Sequence, residues 1–206
     1  MPELGLFPLP LVLVPTERIP LHIFEPRYRE LIDECITESR EFGLVFSTGD
    51  GAVHEIGTRA SVIRVIERMR DGRMNIAVEG GERFRLLELT SGRSFTTAEV
   101  EPVVDENDSP DDEARARALA VFGELAVEAA SDVDIPDDTS PLLDWELTAR
   151  VDFALEAKQE LLALTSPRRR MARLVELLEA SLEALRLEKA LRERAGGNGK
   201  VGPLEG

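Results

Sequence analysis

The sequence predicts an α+β fold: a β-rich head carrying one helix, closed as a small barrel or sheet, followed by a set of packed helices. Three observations predict it. Short apolar or alternating runs separated by turn signals fill residues 1–102. A 3.6-residue apolar period then takes over. Three Ser-Pro dipeptides, Ser109-Pro110, Ser140-Pro141 and Ser166-Pro167, punctuate the second half, each pairing a capping hydroxyl with a proline suited to a first helical position.

Taken in order, residues 9–14 (LPLVLV) read as a buried or edge strand between prolines, and residues 19–24 (IPLHIF) as a second. Pro26 then opens a helix in which Tyr28, Leu31, Ile32, Cys35 and Ile36 share one apolar stripe. Residues 42–47 (FGLVFS) form a third strand and 48–51 (TGDG) a turn. From 57 to 102 the pattern is an antiparallel meander. Arg70-Asp71-Gly72-Arg73 is its tight hairpin, Met74, Ile76 and Val78 alternate inward, and Gly80-Gly81 ends that strand or makes a bulge. Residues 84–89 and 95–100 are further strands, with Phe84 and Phe95 directed inward.

Helices are expected to begin near residues 110, 141 and 167, with a further short one over 155–164. In the last helix Met171, Leu174, Val175, Leu178, Leu182 and Leu185 form a seam, and packing should stop near Lys189 and Arg192. Residues 101–109 (EPVVDENDS) are acidic and aperiodic. They read as an extended, self-repelling junction between a head (1–104) and a helical bundle (105–194), with a flexible tail at 195–206.

Net charge is −15. Residues 99–146 hold 16 acids against Arg115 and Arg117, a balance of −14, so nearly all the charge sits there. Such a chain should be repelled by nucleic acid unless it has a basic face. The arginines at 64, 68, 70, 73, 83, 85 and 93 are the one candidate for such a face. They read first as a solvated surface partnered by Glu67, Glu79, Glu82 and Glu88. No apolar run approaches the ~20 residues of a membrane span, and the start, proline-broken and lacking a basic region, carries no export signal. One cysteine excludes an internal disulfide and fits a reducing, cytoplasmic setting.

Chemistry is sparse. Cys35, His22 and His54 show no metal-ligand spacing, so no metal or other cofactor is expected. Cys35 reads as a small core residue and the acids at 105–113 as solvated, since a calcium-loop glycine and terminal glutamate are missing. No nucleophile–base pair or catalytic carboxylate pair stands out, so no enzyme activity is expected.

The stretches LFPLPLVLVP (6–15), IPLHIFEPRYRELI (19–32), FGLVF (42–46), IGTRASVIRV (56–65), NIAVEGGERFRLLEL (75–89) and AKQELLAL (157–164), in that order, resemble the N-terminal, substrate-binding domain of Lon proteases. The likeness covers roughly residues 4–190, and Phe24-Glu25-Pro26-Arg27-Tyr28 with Gly80-Gly81 and Arg83-Phe84 carry it most specifically. It implies a PUA-like β-barrel lobe and a helical bundle; in full-length Lon proteases this region helps recognise unfolded or tagged polypeptide, and the chain resembles the forms that bacteria encode alone. Lon's engines are not expected here. The only Gly-Lys, Gly199-Lys200, has Arg194 where a phosphate-binding loop needs its first glycine and Val201 where it needs a hydroxyl. No serine–lysine peptidase motif is present.

The function expected from the resemblance is non-catalytic binding of unfolded or extended polypeptide, with Phe24, Tyr28, Phe42 and Phe46 at a groove between head and helices. The alternatives are an adaptor that docks onto a protease through the acidic block and, with less support, an RNA-binding protein of PUA-like fold, for which stacking aromatics are lacking.

Overall fold

The structure is a computed structural model, and residues 3–49 and 51–197 are described, the side chains of 195–197 excepted. Among these residues six strands make one sheet: β1 (Leu4–Leu9), β2 (Arg18–Ile23), β3 (Phe42–Phe46), β4 (Ile56–Arg68), β5 (Met74–Thr90) and β6 (Thr97–Pro102). Among the described residues five helices accompany them: α1 (Pro26–Glu38) within the head, then α2 (Asp112–Glu128), α3 (Leu143–Thr148), α4 (Leu155–Ala163) and α5 (Pro167–Gly197).

The strand order is β2-β5-β4-β3-β1-β6, and β6 also pairs with β5. Only β1–β3 is parallel; the other pairs are antiparallel. The hairpin β4–β5 turns at Asp71-Gly72, where Gly72 adopts φ +85 as a tight turn requires. Met74, Ile76 and Val78 are fully buried, as their alternation predicts. Gly80-Gly81 does not end β5. The strand continues to Thr90, and the ladder shifts by one residue between Thr58↔Arg83 and Ala60↔Gly80, which is the bulge alternative.

The first expected strand is displaced. Residues 4–9 form the ladder, whereas 10–17 leave it, because Pro10 and Pro15 cannot donate to a neighbour. Val12, Leu13 and Val14 are still buried, but as a wedge between the sheet and the helices rather than as a strand. The expected second strand stops at Ile23, leaving Phe24 outside it.

Helix α1 begins at Pro26 and buries Tyr28, Leu31, Ile32 and Cys35 against the sheet, as the stripe predicts. It closes on Ser39 in the left-handed conformation, φ 52, whose backbone N–H donates to the Cys35 carbonyl.

Of the three Ser-Pro signals, one works as expected: Ser166 Oγ accepts from the Arg169 N–H and α5 starts at Pro167. The other two are corrected. Helix α2 starts at Asp112, capped by the Asp111 carboxylate on the Ala114 N–H. Helix α3 starts at Leu143, and Ser140 Oγ accepts from the Leu142 N–H in the preceding turn. At α2 a carboxylate adjacent to the helix captures a free N–H, whereas no side chain caps the first turn of α3.

Helices α2 and α5 run in the same direction: Arg117, Glu124 and Glu128 pair in ascending order with Glu179, Arg186 and Lys189. Between them lie Ala118, Val121 and Phe122 with Met171, Leu174, Leu178 and Leu182. Beyond Leu182 no α5 side chain among the described residues is buried, and Leu187 and Leu191 are exposed. The expected tail lies outside the described residues from 198 onward, and 195–197 belong to α5.

Residues 105–109 are acidic, and three of their carboxylates have partners in this chain. Asp105 accepts from Arg83 and Arg170, Glu106 Oε1 from Thr165 Oγ1, and Asp108 from Ser166 Oγ. Asp105 is a ligand of buried cations, which sequence adjacency does not reveal.

Candidate functional site

Where the sheet meets the helices a groove of about 470 Å³ opens. It is lined by residues 80–83 of β5, by Pro15 and Thr16, by residues 102–105, and by Leu142 and Trp145 from the helical side. Glycine is required at 80 by proximity: a Cβ there would sit 2.2 Å from the Val14 carbonyl oxygen. Thr16 holds φ 69, a left-handed conformation that a β-branched residue rarely adopts, and its buried Oγ1 has no hydrogen-bond partner among the described residues.

Behind the groove lies a buried ionic knot. Arg83, 5% exposed, donates to Asp105 and to the carbonyls of Leu162 and Leu164. Arg170, 2% exposed, donates to Asp144 Oδ2 at 2.6 Å, Asp105 Oδ2 at 2.7 Å and the Leu164 carbonyl at 2.8 Å. The Trp145 ring contacts both guanidinium groups, 4.1 Å from Arg170 and 5.2 Å from Arg83. Two cations face two carboxylates, so the knot carries no net charge. Burial works against the charge on both arginines. On Arg83 it prevails and lowers the pKa; on Arg170 the hydrogen bonds and charges of Asp105 and Asp144 outweigh it and raise the pKa. A second partly buried pair, Lys158 Nζ to Glu17 Oε1 at 2.6 Å, ties α4 to the segment beside Thr16.

The four aromatic residues assigned to a groove are not gathered in one. Tyr28 and Phe42 lie in the head core, each against Phe7, with ring centroids 4.1 and 6.2 Å from it. Phe46 is 7% exposed, stacks on His54 and belongs to the apolar cluster that includes Trp145 and Leu162. Phe24 alone is exposed, at 58%, beside the His22 ring. Placing Arg83 on a solvated face is also corrected.

Among the other meander arginines, Arg68, Arg73, Arg85 and Arg93 pair with Asp33, Asp71, Glu55 and Glu34 rather than with the four glutamates expected. Arg64 and Arg70 make no ion pair among the described residues. Sequence reasoning missed Trp145, Asp144 and Arg170. For Arg170 a signal existed: it lies four residues before Leu174 and eight before Leu178, on the buried face of α5.

Cys35 is buried in the core, where desolvation first and Glu34 next push its thiol up to about 11. Among the described residues no group of three or more His, Cys, Asp or Glu is placed to hold a metal ion. Among them, too, no helix is long and apolar enough to cross a membrane.

This architecture is that of Lon N-terminal domains. The crystal structure of the Lon N-terminal domain protein from Xanthomonas campestris superposes with a TM-score of 0.69 at 25% identity, covering 85% of this chain and 98% of that one. The N-terminal domain of the Mycobacterium avium complex Lon protease shares the fold at a TM-score of 0.66 and 19% identity, covering 86% and 98%. The profile of the ATP-dependent protease La (LON) substrate-binding domain matches residues 3–180, and the chain belongs to that family.

Among curated relatives, the Lon protease of Brucella melitensis is 28% identical over 152 residues, 69% of this chain and 18% of that protein. Lon protease 2 of Syntrophobacter fumaroxidans is 26% identical over 201 residues, 89% and 25%. The chain thus spans about a fifth to a quarter of the relatives it matches.

Proposed function

We propose that this chain is a non-catalytic recognition module that binds unfolded or extended polypeptide at the groove between head and helices. The observation that carries the proposal is the groove itself: a cleft lined in part by Trp145 and Leu142 in a domain of the Lon substrate-binding family. Clefts of this size with apolar walls and a few convergent polar groups are the usual form of a binding site. We also infer that the β5-β4-β3-β1-β6-β5 ring of pairings closes as a small barrel, with residues 105–194 as a bundle beside it.

Fluorescence anisotropy with an unfolded, casein-like protein and a folded control tests the reading. Saturable binding to the unfolded chain alone is expected; equal, negligible binding to both counts against it.

Docking onto a protease as an adaptor is the second reading. It is favoured by Asp132 and Asp134, which stay exposed on the loop before α3 and make no ion pair among the described residues. Exchanging Asp132 and Asp134 for Asn and finding co-purification with the protease unchanged would dispose of it. RNA is the poorest fit, because most of the meander arginines are neutralised by acids of this chain.

A further inference from the structure

We propose that the junction groove takes an apolar side chain presented by a basic stretch of polypeptide and disfavours the same side chain in an acidic setting. This rests on the polypeptide-binding reading above and specifies which polypeptides satisfy it.

The apolar half of the inference comes from the groove mouth. Val104 is 76% exposed and Leu142 43%, and both line the groove along with Trp145. Apolar side chains left in water around a cleft gain by being covered, at roughly 25 cal/mol for each Å² removed from solvent. The Thr16 backbone, held in its uncommon conformation at the groove wall, belongs to the kind of outlier that collects at ligand sites.

The basic half comes from charge. The two arginines nearest the groove offer no free cation, because Asp105 and Asp144 neutralise them inside the knot. Glu82, by contrast, lines the groove, is exposed and makes no ion pair among the described residues. Glu82 thus leaves the groove and the knot behind it with three carboxylates, Glu82, Asp105 and Asp144, against the two guanidinium groups of Arg83 and Arg170. A cleft with apolar walls and an excess of one sign of charge focuses that field, and so raises the local concentration of oppositely charged ligands. Lysines or arginines flanking an apolar anchor meet this field favourably; glutamates meet like charge.

The protein supplies its own probe, since Trp145 is its only tryptophan. Two short disordered peptides share one Leu-Phe-Val core, flanked on both sides either by Lys-Ser or by Glu-Ser repeats. Binding is read by peptide anisotropy and Trp145 emission, at low and at physiological salt. The expected result is binding of the Lys-flanked peptide on the order of tenfold tighter at low salt, a gap that narrows as salt screens the attraction. Trp145 emission should shift on binding, Glu82→Gln should narrow the gap, and Leu142→Ser should weaken both peptides. Both substituted residues are exposed, and unchanged circular dichroism confirms that the variants fold.

Equal affinity for the two peptides overturns the inference. So does a Lys preference that survives Leu142→Ser without any change in Trp145 emission, since binding then lies elsewhere. If the unfolded protein binds but the two peptides do not differ, only this inference falls. If neither the peptides nor the unfolded protein bind, the polypeptide-binding reading falls with it.

Discussion

Arg170 Nε donates to Asp144 Oδ2 across 2.6 Å, with 2% and 6% of the two side chains exposed. The pair joins the start of α5 to α3 in the interior of the protein and, through Asp105, reaches Arg83 of the sheet. A buried pair of this kind contributes little net energy while intact, but removing one partner strands the other charge without water.

Replacing Arg170 with Met is therefore expected to destabilise the protein by about 3–5 kcal/mol, because Asp144 is left buried and unpaired. Adding Asp144→Leu to that variant should recover much of the loss. Urea unfolding of the two variants checks the order; a double variant no more stable than Arg170→Met contradicts it.

Two aromatic residues should separate cleanly. Phe42 is wholly buried in the head core, so Phe42→Ala is expected to cost about 3–5 kcal/mol. Phe24 is mostly in water, so Phe24→Ser should change stability by no more than about 0.5 kcal/mol. Thermal unfolding of both variants measures the difference.

Gly80→Ala pushes a methyl group to 2.2 Å from the Val14 carbonyl oxygen, which is backbone and cannot rotate away. The expected cost is about 1–3 kcal/mol of overpacking. Gly49, where an added methyl group would meet nothing within 4 Å among the described residues, is the control: Gly49→Ala should stay within about 0.5 kcal/mol. A comparison of denaturant midpoints decides it.

The Cys35 thiol should resist disulfide reagents at neutral pH, because it is buried and its pKa is raised to about 11. An unfolded thiol loses its proton near the ordinary 9.0, whereas the folded one keeps it until about 11. Between those values the unfolded state binds fewer protons, so stability falls as pH rises through that window. Tyr28, raised chiefly by burial, acts in the same direction at higher pH. Unfolding midpoints measured across this alkaline range should decline less steeply in Cys35→Ala.

Much of the fold was legible in the residues. Pro26 and the stripe from Tyr28 to Cys35 marked α1, Asp71-Gly72 marked the hairpin, and Ser166-Pro167 marked α5. Each of these signals is local: a turn conformation, a cap or a helical period decided within a few residues. The first strand was misplaced by one run because Val12, Leu13 and Val14 are buried without a ladder, and apolarity alone does not distinguish a strand from a wedge. The site was less legible still. Three of the four chosen aromatics are core, and the groove proposed as the binding site is lined by other residues, among them Trp145, Leu142 and Val104.

By itself the amino-acid sequence determined the elements, the inward faces of most of them and the family resemblance, because periodicity and turn chemistry act along neighbouring residues. Only the tertiary structure decided which polar side chains go inside and where the groove opens. Arg83, Asp105, Asp144 and Arg170 meet across separations of 22, 26 and 65 residues. Whether an arginine faces water or a carboxylate depends on what the fold brings alongside it, and no local pattern records that distance.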